Sequence, residues 1–409
     1  MRLPDQRVSY HTASNGLRMV CLHRPGSAVG FAGVDVYAGS RDESPEESGL
    51  AHFVEHTIFK GTRRRSSWHI INRMEAVGGE LNAYTTKEET VVYTAFPGGN
   101  LARAAELVAD LIADSQFPAA QIEREREVVA DEIDSYLDSP SEAVFDDFED
   151  LLFAGSSLGH NILGDRASLD TFDSATCRRY LARWYVPSNM VAFYAGPLRP
   201  ERAFAVMERA FGILPPGEAP HAAGAVPVPV PFDVARSIGS HQSHTVMGAR
   251  TCAFGSPERY TLGLLTNILG GPGMNSLLNV ELREKRGLVY NVEASAGLFS
   301  DCGALAVYFG CDPADNARCM ALVTDTVRRV ADGYVTPLRL ERAKKQYLGQ
   351  MIVGSESLEN RALGIARQTL LSGRAVSPAE SAEAVHAVTA PDLAAMAASM
   401  LPLSRLTLG

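Results

Sequence analysis

The sequence predicts an α+β chain made of two duplicated domains, and three observations carry that expectation. The chain has 409 residues, more than one ordinary core organises, so two domains are expected. One proline-rich stretch, 214–232, divides it into near-equal halves; Pro215, Pro216, Pro220, Pro227, Pro229 and Pro231 favour extended backbone there. The order strand, Ser-Pro-Glu, helix occurs in both halves. Ser44-Pro45-Glu46 follows an apolar run at 29–37, and Ser256-Pro257-Glu258 follows one at 245–254. The expected domains are 1–213 and 233–409, with 214–232 as the linker.

The elements of the first half can be read in order. Residues 8–14 and 17–22 form strands around Asn15-Gly16, a strong hairpin signal. Residues 29–37 alternate small and apolar side chains and read as a buried strand. Ser44 is a candidate N-cap and Pro45 fits a first helical position, so one helix is expected from there through His56, stopped at Lys60-Gly61-Thr62. A second helix covers 68–77 until Gly78-Gly79 breaks it. Residues 80–96 supply two strands around a turn near Lys87, and 101–115 and 121–137 are long amphipathic helices. With the 212-residue offset of the Ser-Pro-Glu repeat, His52 falls on Leu264, Glu55 on Asn267 and His56 on Ile268. The second copy therefore lacks the polar groups of the first.

Composition is that of a globular protein, 46% hydrophobic and 21% charged, with a formal charge of −10. An acidic balance argues against nucleic acid or an anionic membrane as the main partner. The six cysteines are scattered, with no C-x-x-C pair, which suits reduced thiols in a cytosolic protein. Cys302 and Cys311 could face each other across a hairpin, but they read better as small buried apolar groups. The N-terminal twenty residues contain no apolar segment of a secretory signal, and no run approaches about 18 apolar residues, so a cytoplasmic protein without membrane insertion is expected.

The chemistry centres on His52-Phe53-Val54-Glu55-His56. Histidines at i and i+4 lie one above the other on a helix and can grip one metal ion, with the i+3 carboxylate on the same side. That is the equipment for a zinc-activated water with a general base beside it, and hence for peptide hydrolysis. The competing reading is an accidental H-x-x-E-H in an ordinary domain. A catalytic zinc takes three protein ligands, and the acidic helix at 121–137 is the obvious source of the third. Glu125 and Glu132, seven apart, share a face with Val128 and Val129 close to it, so Glu132 is the candidate ligand and Glu125 a supporting group. The alternative there is a solvated helix of surface charge pairs. His241 and His244, three apart on an expected strand, would point to opposite faces and make no second site.

Together, AHFVEHTIFKGT, GGELNAYTTKEETVVY, IEREREVVADEI and GGPGMNSLLNVELREKRGLVYNV resemble the pitrilysin-type inverted-zincin metallopeptidases. That family includes insulin-degrading enzyme and the mitochondrial processing peptidases, and the likeness is to its short, processing-peptidase branch. The resemblance implies that each domain is a mainly antiparallel sheet covered by helices, the two forming a bowl-like half of a chamber. It implies one Zn2+ per chain held by His52, His56 and Glu132, with Glu55 as general base and Glu125 orienting the ligands. Asn82 and Ala83 match a strand that pairs with the substrate backbone. Arg283 and Tyr290 match a pair from the metal-free domain that holds the substrate and stabilises the oxyanion. Without the resemblance they read as a surface cation and a core-strand residue.

The resemblance further implies a zinc metalloendopeptidase acting on short or unfolded peptides, presequence-like segments among them. Because this chain carries both the metal motif and the Arg/Tyr pair, a homodimer is expected rather than an obligate heteropair. The rival from another class is a non-catalytic assembly or peptide-binding subunit of the same fold. One departure stands out: Asn275-Ser276-Leu277-Leu278 lacks the usual basic residue of the glycine-rich turn, which puts substrate contacts from that loop in doubt.

Overall fold

A computed structural model describes residues 7–221, 224 and 226–409. Among these residues the strands form two sheets. The first contains β1 (Val8–Thr12), β2 (Arg18–His23), β3 (Val29–Val36), β4 (Glu80–Thr85), β5 (Thr90–Pro97) and β6 (Met190–Gly196). The second contains β7 (Asp233–Arg236), β8 (Ser243–Thr251), β9 (Val289–Leu298), β10 (Gly303–Cys311) and β11 (Ser404–Leu408).

The strand orders are β1-β2-β6-β3-β5-β4 and β7-β11-β8-β10-β9. Leaving out β1, the second order repeats the first, strand for strand in sequence order. Pairing directions agree as well. β2–β6 and β7–β11 are parallel, and every other pair is antiparallel. The duplication suggested by short segments is thus a duplication of topology.

Both faces of each sheet are buried, which explains why strands such as β6 are apolar throughout. Along β2, Met19 and Cys21 enter one cluster and Val20 and Leu22 the other, as a two-residue period requires. One face of the first sheet packs beneath the motif helix Leu50–Thr57 and the helix Leu101–Asp114. Its other face is covered by Ala362, Ile365 and Ala366 of the helix Leu358–Ser372, which comes from the second half of the chain. The reverse holds in the second unit, where Val144, Phe148 and Leu152 of Pro140–Leu152 cover Val246, Ala304 and Leu406.

The compact units are therefore not the consecutive segments 1–213 and 233–409. One comprises Met1–Asp134, His160–Gly224 and Gly354–Pro378; the other comprises Ser135–Gly159, Ala225–Val353 and Ala379–Gly409. The physical reason is that a sheet apolar on both faces needs a second cover, and each half takes that helix from the other. The described residues of 214–232 lie outside helix and strand; Ala222, Ala223 and Ala225 of that stretch fall outside the described residues.

One local expectation changes. The helix expected to run from Ser44 through the motif is two pieces, because Pro45–Glu47 makes only a short 3-10 turn. Gly49, at φ +89°, separates it from Leu50–Thr57, and a Cβ there would collide with the carbonyl oxygen of Leu163.

Candidate active site

The motif helix is short and, apart from its polar stripe, buried: Leu50, Ala51, Phe53 and Val54 anchor it in the core. Its N-terminus is capped from a distance. The Glu43 carboxylate accepts from the backbone N–H of Gly49 at 2.9 Å and of Ala51 at 2.7 Å. An anionic cap of this kind satisfies orphan donors and complements the helix dipole. His160 Nε2 lies 3.1 Å from the same carboxylate.

On the polar stripe the rings of His52 and His56 stand edge to face, with centroids 4.5 Å apart. Their Nε2 atoms lie 3.8 Å and 3.4 Å from Oε2 of Glu132, on the helix Ala119–Leu137. The ligand atoms of all three residues fall within 4.8 Å of one another. Among the described residues no other group of three His, Cys, Asp or Glu side chains is so placed. Tetrahedral ligands about 2.0–2.2 Å from one zinc ion are themselves roughly 3.3–3.6 Å apart, so this donor set fits zinc after a contraction of about an ångström at most. Burial, with His56 as neighbour, pushes His52 down to about 3, which keeps its imidazole neutral and able to bind a metal.

Glu125 is buried on the same face of the helix Ala119–Leu137, two turns before Glu132. Its Oε1 lies 3.1 Å from Nδ1 of His56, and its Oε2 pairs with Nζ of Lys60 at 2.7 Å. A proton on Nδ1 shared with this carboxylate leaves the Nε2 lone pair facing Glu132. Of the two valines expected near this face, Val129 is buried but Val128 is 51% exposed, so the helical phase is tighter than the spacing suggested.

Glu55 lies beside the histidines. Its Oε2 accepts a 3.2 Å hydrogen bond from Oγ1 of Thr85, at the end of β4. Burial raises its pKa, opposed by His56 and by the Thr85 bond. A carboxylate tuned upward is suited to take and return protons near neutral pH. The motif helix packs on β4, the edge strand of the first sheet, where Asn82 and Ala83 pair with Tyr93 and Val92. On its outer side β4 has no neighbouring strand among the described residues.

In the second unit, Arg283 lies in the π-helical turn Asn279–Glu284 and its guanidinium lies 5.8 Å from the ring centroid of Tyr290 on β9. Tyr290 is 87% exposed, so it is not a core-strand residue. Where the repeat places Asn267 opposite Glu55, its amide donates to Oε1 of Gln350 at 2.7 Å. His244 lies on β8 with Nδ1 2.9 Å from the hydroxyl of Tyr308, and His241 precedes the strand. All six cysteines are free thiols.

Sequence reading missed Glu43, Lys60 and Thr85. In the sequence Lys60 marks only a helix stop, and Glu43 carries no local signal because its partners depend on the turn at Gly49. Thr85 lies within GGELNAYTTKEETVVY with no local sign of its partner.

Two imidazoles and a carboxylate from two helices, with a carboxyl group of raised pKa beside them, form a group that could hold one metal ion, the arrangement expected of the metallopeptidase class. Residues 18–166 match the family model described as Insulinase (Peptidase family M16), and residues 171–347 the one described as Peptidase M16 inactive domain. The chain belongs to this family, peptidase family M16, of the pitrilysin type.

Its relatives include an uncharacterized zinc protease of Mycobacterium tuberculosis, 35% identical over 400 residues that cover 95% of this chain and 90% of that protein. An uncharacterized zinc protease of Bacillus subtilis is 30% identical over 90% of this chain and 89% of its own length. The beta subunit of the mitochondrial-processing peptidase of Saccharomyces cerevisiae is 27% identical, covering 100% of this chain and 92% of that subunit. In fold the chain matches a protease from Helicobacter pylori with a TM-score of 0.89 at 21% identity, covering 100% of both chains. A peptidase M16 inactive domain from Pseudomonas fluorescens gives 0.91 at 18%, covering 98% of both. No helix among the described residues is long and apolar enough to cross a membrane.

Proposed function

We propose that the protein is a zinc-dependent endopeptidase of short or unfolded peptides, presequence-like segments among them. The observation that carries this reading is the convergence of His52, His56 and Glu132 beside the half-buried Glu55. Zinc, when bound, makes a water acidic and polarises the scissile carbonyl. His52, His56 and Glu132 hold the ion, and Glu125 orients His56. Glu55 accepts a proton from the attacking water and returns it to the leaving amine.

The free edge of β4 at Asn82 and Ala83 suits an extended peptide added as a further strand, which tolerates many side chains. Arg283 and Tyr290 hold the substrate and stabilise the oxyanion. The working form is a cytoplasmic homodimer. A second reading, a non-catalytic peptide-binding subunit of the same fold, is left open by the likeness to a peptidase M16 inactive domain from Pseudomonas fluorescens.

The test is digestion of an unbiased peptide mixture, read by mass spectrometry. Zinc-loaded protein is expected to cleave, and both a chelator and Glu55→Gln to abolish cleavage, with zinc retained in the variant. Absent or chelator-insensitive cleavage overturns the endopeptidase reading, and stoichiometric zinc with peptide binding alone leaves the subunit reading. Light scattering on a sizing column checks the dimer.

A further inference from the structure

Hairpin turns normally lie in solvent, yet the turn between β4 and β5 is buried: Lys87, Glu88 and Glu89 are each 4% exposed. Three ionisable groups in such a place are costly unless each is paired. Each is anchored to a different segment. Lys87 Nζ donates to the backbone carbonyl of His160. Glu88 accepts from Nη1 of Arg41 at 2.5 Å. Glu89 forms an ion pair with Arg367, Oε1 to Nε 3.1 Å, and Arg367 lies on the helix Leu358–Ser372 from the far end of the chain.

The backbone is tied down as well. The amides of Ser40 and Arg41 donate to the carbonyls of Thr86 and Lys87 at 3.2 Å and 2.7 Å. A Cβ on Gly39 would collide with the Thr86 carbonyl, so only glycine permits this approach. The Thr86 hydroxyl donates to the Glu89 carbonyl and accepts from its amide, closing the turn on itself.

Two paths lead from this turn to the motif helix. Thr85, its immediate neighbour, donates to Glu55. On the other side, the His160 residue held by Lys87 reaches Glu43, the helix cap. We propose that the turn at 86–89 is a positioning device for the general base: Thr85 delivers its position to Glu55, and Arg367 holds it through Glu89. The proposal rests on the endopeptidase reading. Glu55 is half-buried, and its position depends on where the Thr85 donor stands; small misplacements of a reacting group are expensive in rate.

The experiment is steady-state kinetics on a quenched fluorogenic peptide, with zinc content measured alongside. Thr85→Val is expected to lower kcat roughly tenfold while KM stays within about twofold and zinc remains bound. Thr85→Ser, which keeps the hydroxyl, recovers most of the loss. Arg367→Leu shifts kcat in the same direction, and Arg367→Lys restores part of it. Should Arg367→Leu fail to fold, Thr85→Val and Glu89→Gln decide the matter. Variants with unchanged kcat, or a loss carried by KM, overturn the positioning role while wild-type cleavage leaves the endopeptidase reading standing. Wild-type protein that holds zinc and cleaves nothing overturns that reading, and this proposal with it.

Discussion

Oε1 of Glu125 lies 3.1 Å from Nδ1 of His56, and its Oε2 lies 2.7 Å from Nζ of Lys60. One buried carboxylate thus fixes the imidazole of the proposed ligand His56 while its own charge is balanced by an ammonium. Glu125→Gln keeps the shape but loses the anion. We expect zinc affinity to fall about 10–100-fold, as for other partners that orient ligand histidines. Competition against a chromophoric chelator measures it, and an unchanged affinity would remove Glu125 from the metal environment.

The exposed Tyr290 can be changed without disturbing the core. Tyr290→Phe removes only the hydroxyl, so thermal unfolding should be unaffected. The kcat should drop roughly 10²-fold, the scale of losing one oxyanion donor. Arg283→Met should chiefly raise KM. Wild-type kinetics in both variants would return the pair to the surface and end its assignment to the reaction.

Strand addition at β4 makes a prediction about the substrate rather than the protein. In an extended peptide, alternate amides point toward the partner strand. N-methylation of substrate amides one at a time should therefore lower kcat/KM in an alternating pattern, by about tenfold at sensitive positions, where a hydrogen bond is lost. A flat profile would mean that side chains rather than backbone hold the peptide.

Glu281 supplies a pH dependence of stability in the second unit. It accepts from Lys285 at 2.9 Å, Arg286 at 2.7 Å and Arg329 at 3.2 Å. The hydrogen bonds from Lys285 and Arg286 hold its carboxyl down at about 2, against 4.5 unpaired. Because the folded pKa is the lower one, this stabilisation is present above pH 4.5 and is lost as pH falls toward 2. Glu281→Gln should lower the unfolding midpoint by about 2–4 °C at neutral pH, and the difference from wild type should shrink through that acid window. Calorimetry at several pH values checks it; a constant difference would show that the charge is not responsible.

Much of this was written in short-range spacing. Helical periodicity alone puts His52, Glu55 and His56 on one stripe and Glu125 and Glu132 on another, because those relations span one or two turns. The β1–β2 hairpin itself follows from alternation around Asn15-Gly16, but its register does not: Val8 lies opposite Leu22 and Thr12 opposite Arg18, which leaves a three-residue loop at 14–16 where the Asn-Gly rule expects two. The repeated order of strand, Ser-Pro-Glu and helix likewise revealed the duplication. Relations set by packing were not visible. Nothing local says that Leu358–Ser372 covers the first sheet and Pro140–Leu152 the second, that Glu43 caps a helix begun at Gly49, or that Thr85 meets Glu55 and Arg367 meets Glu89. Periodicity records which face a side chain occupies, but its partner is chosen by the burial of both faces of each sheet, which joins residues up to hundreds of positions apart.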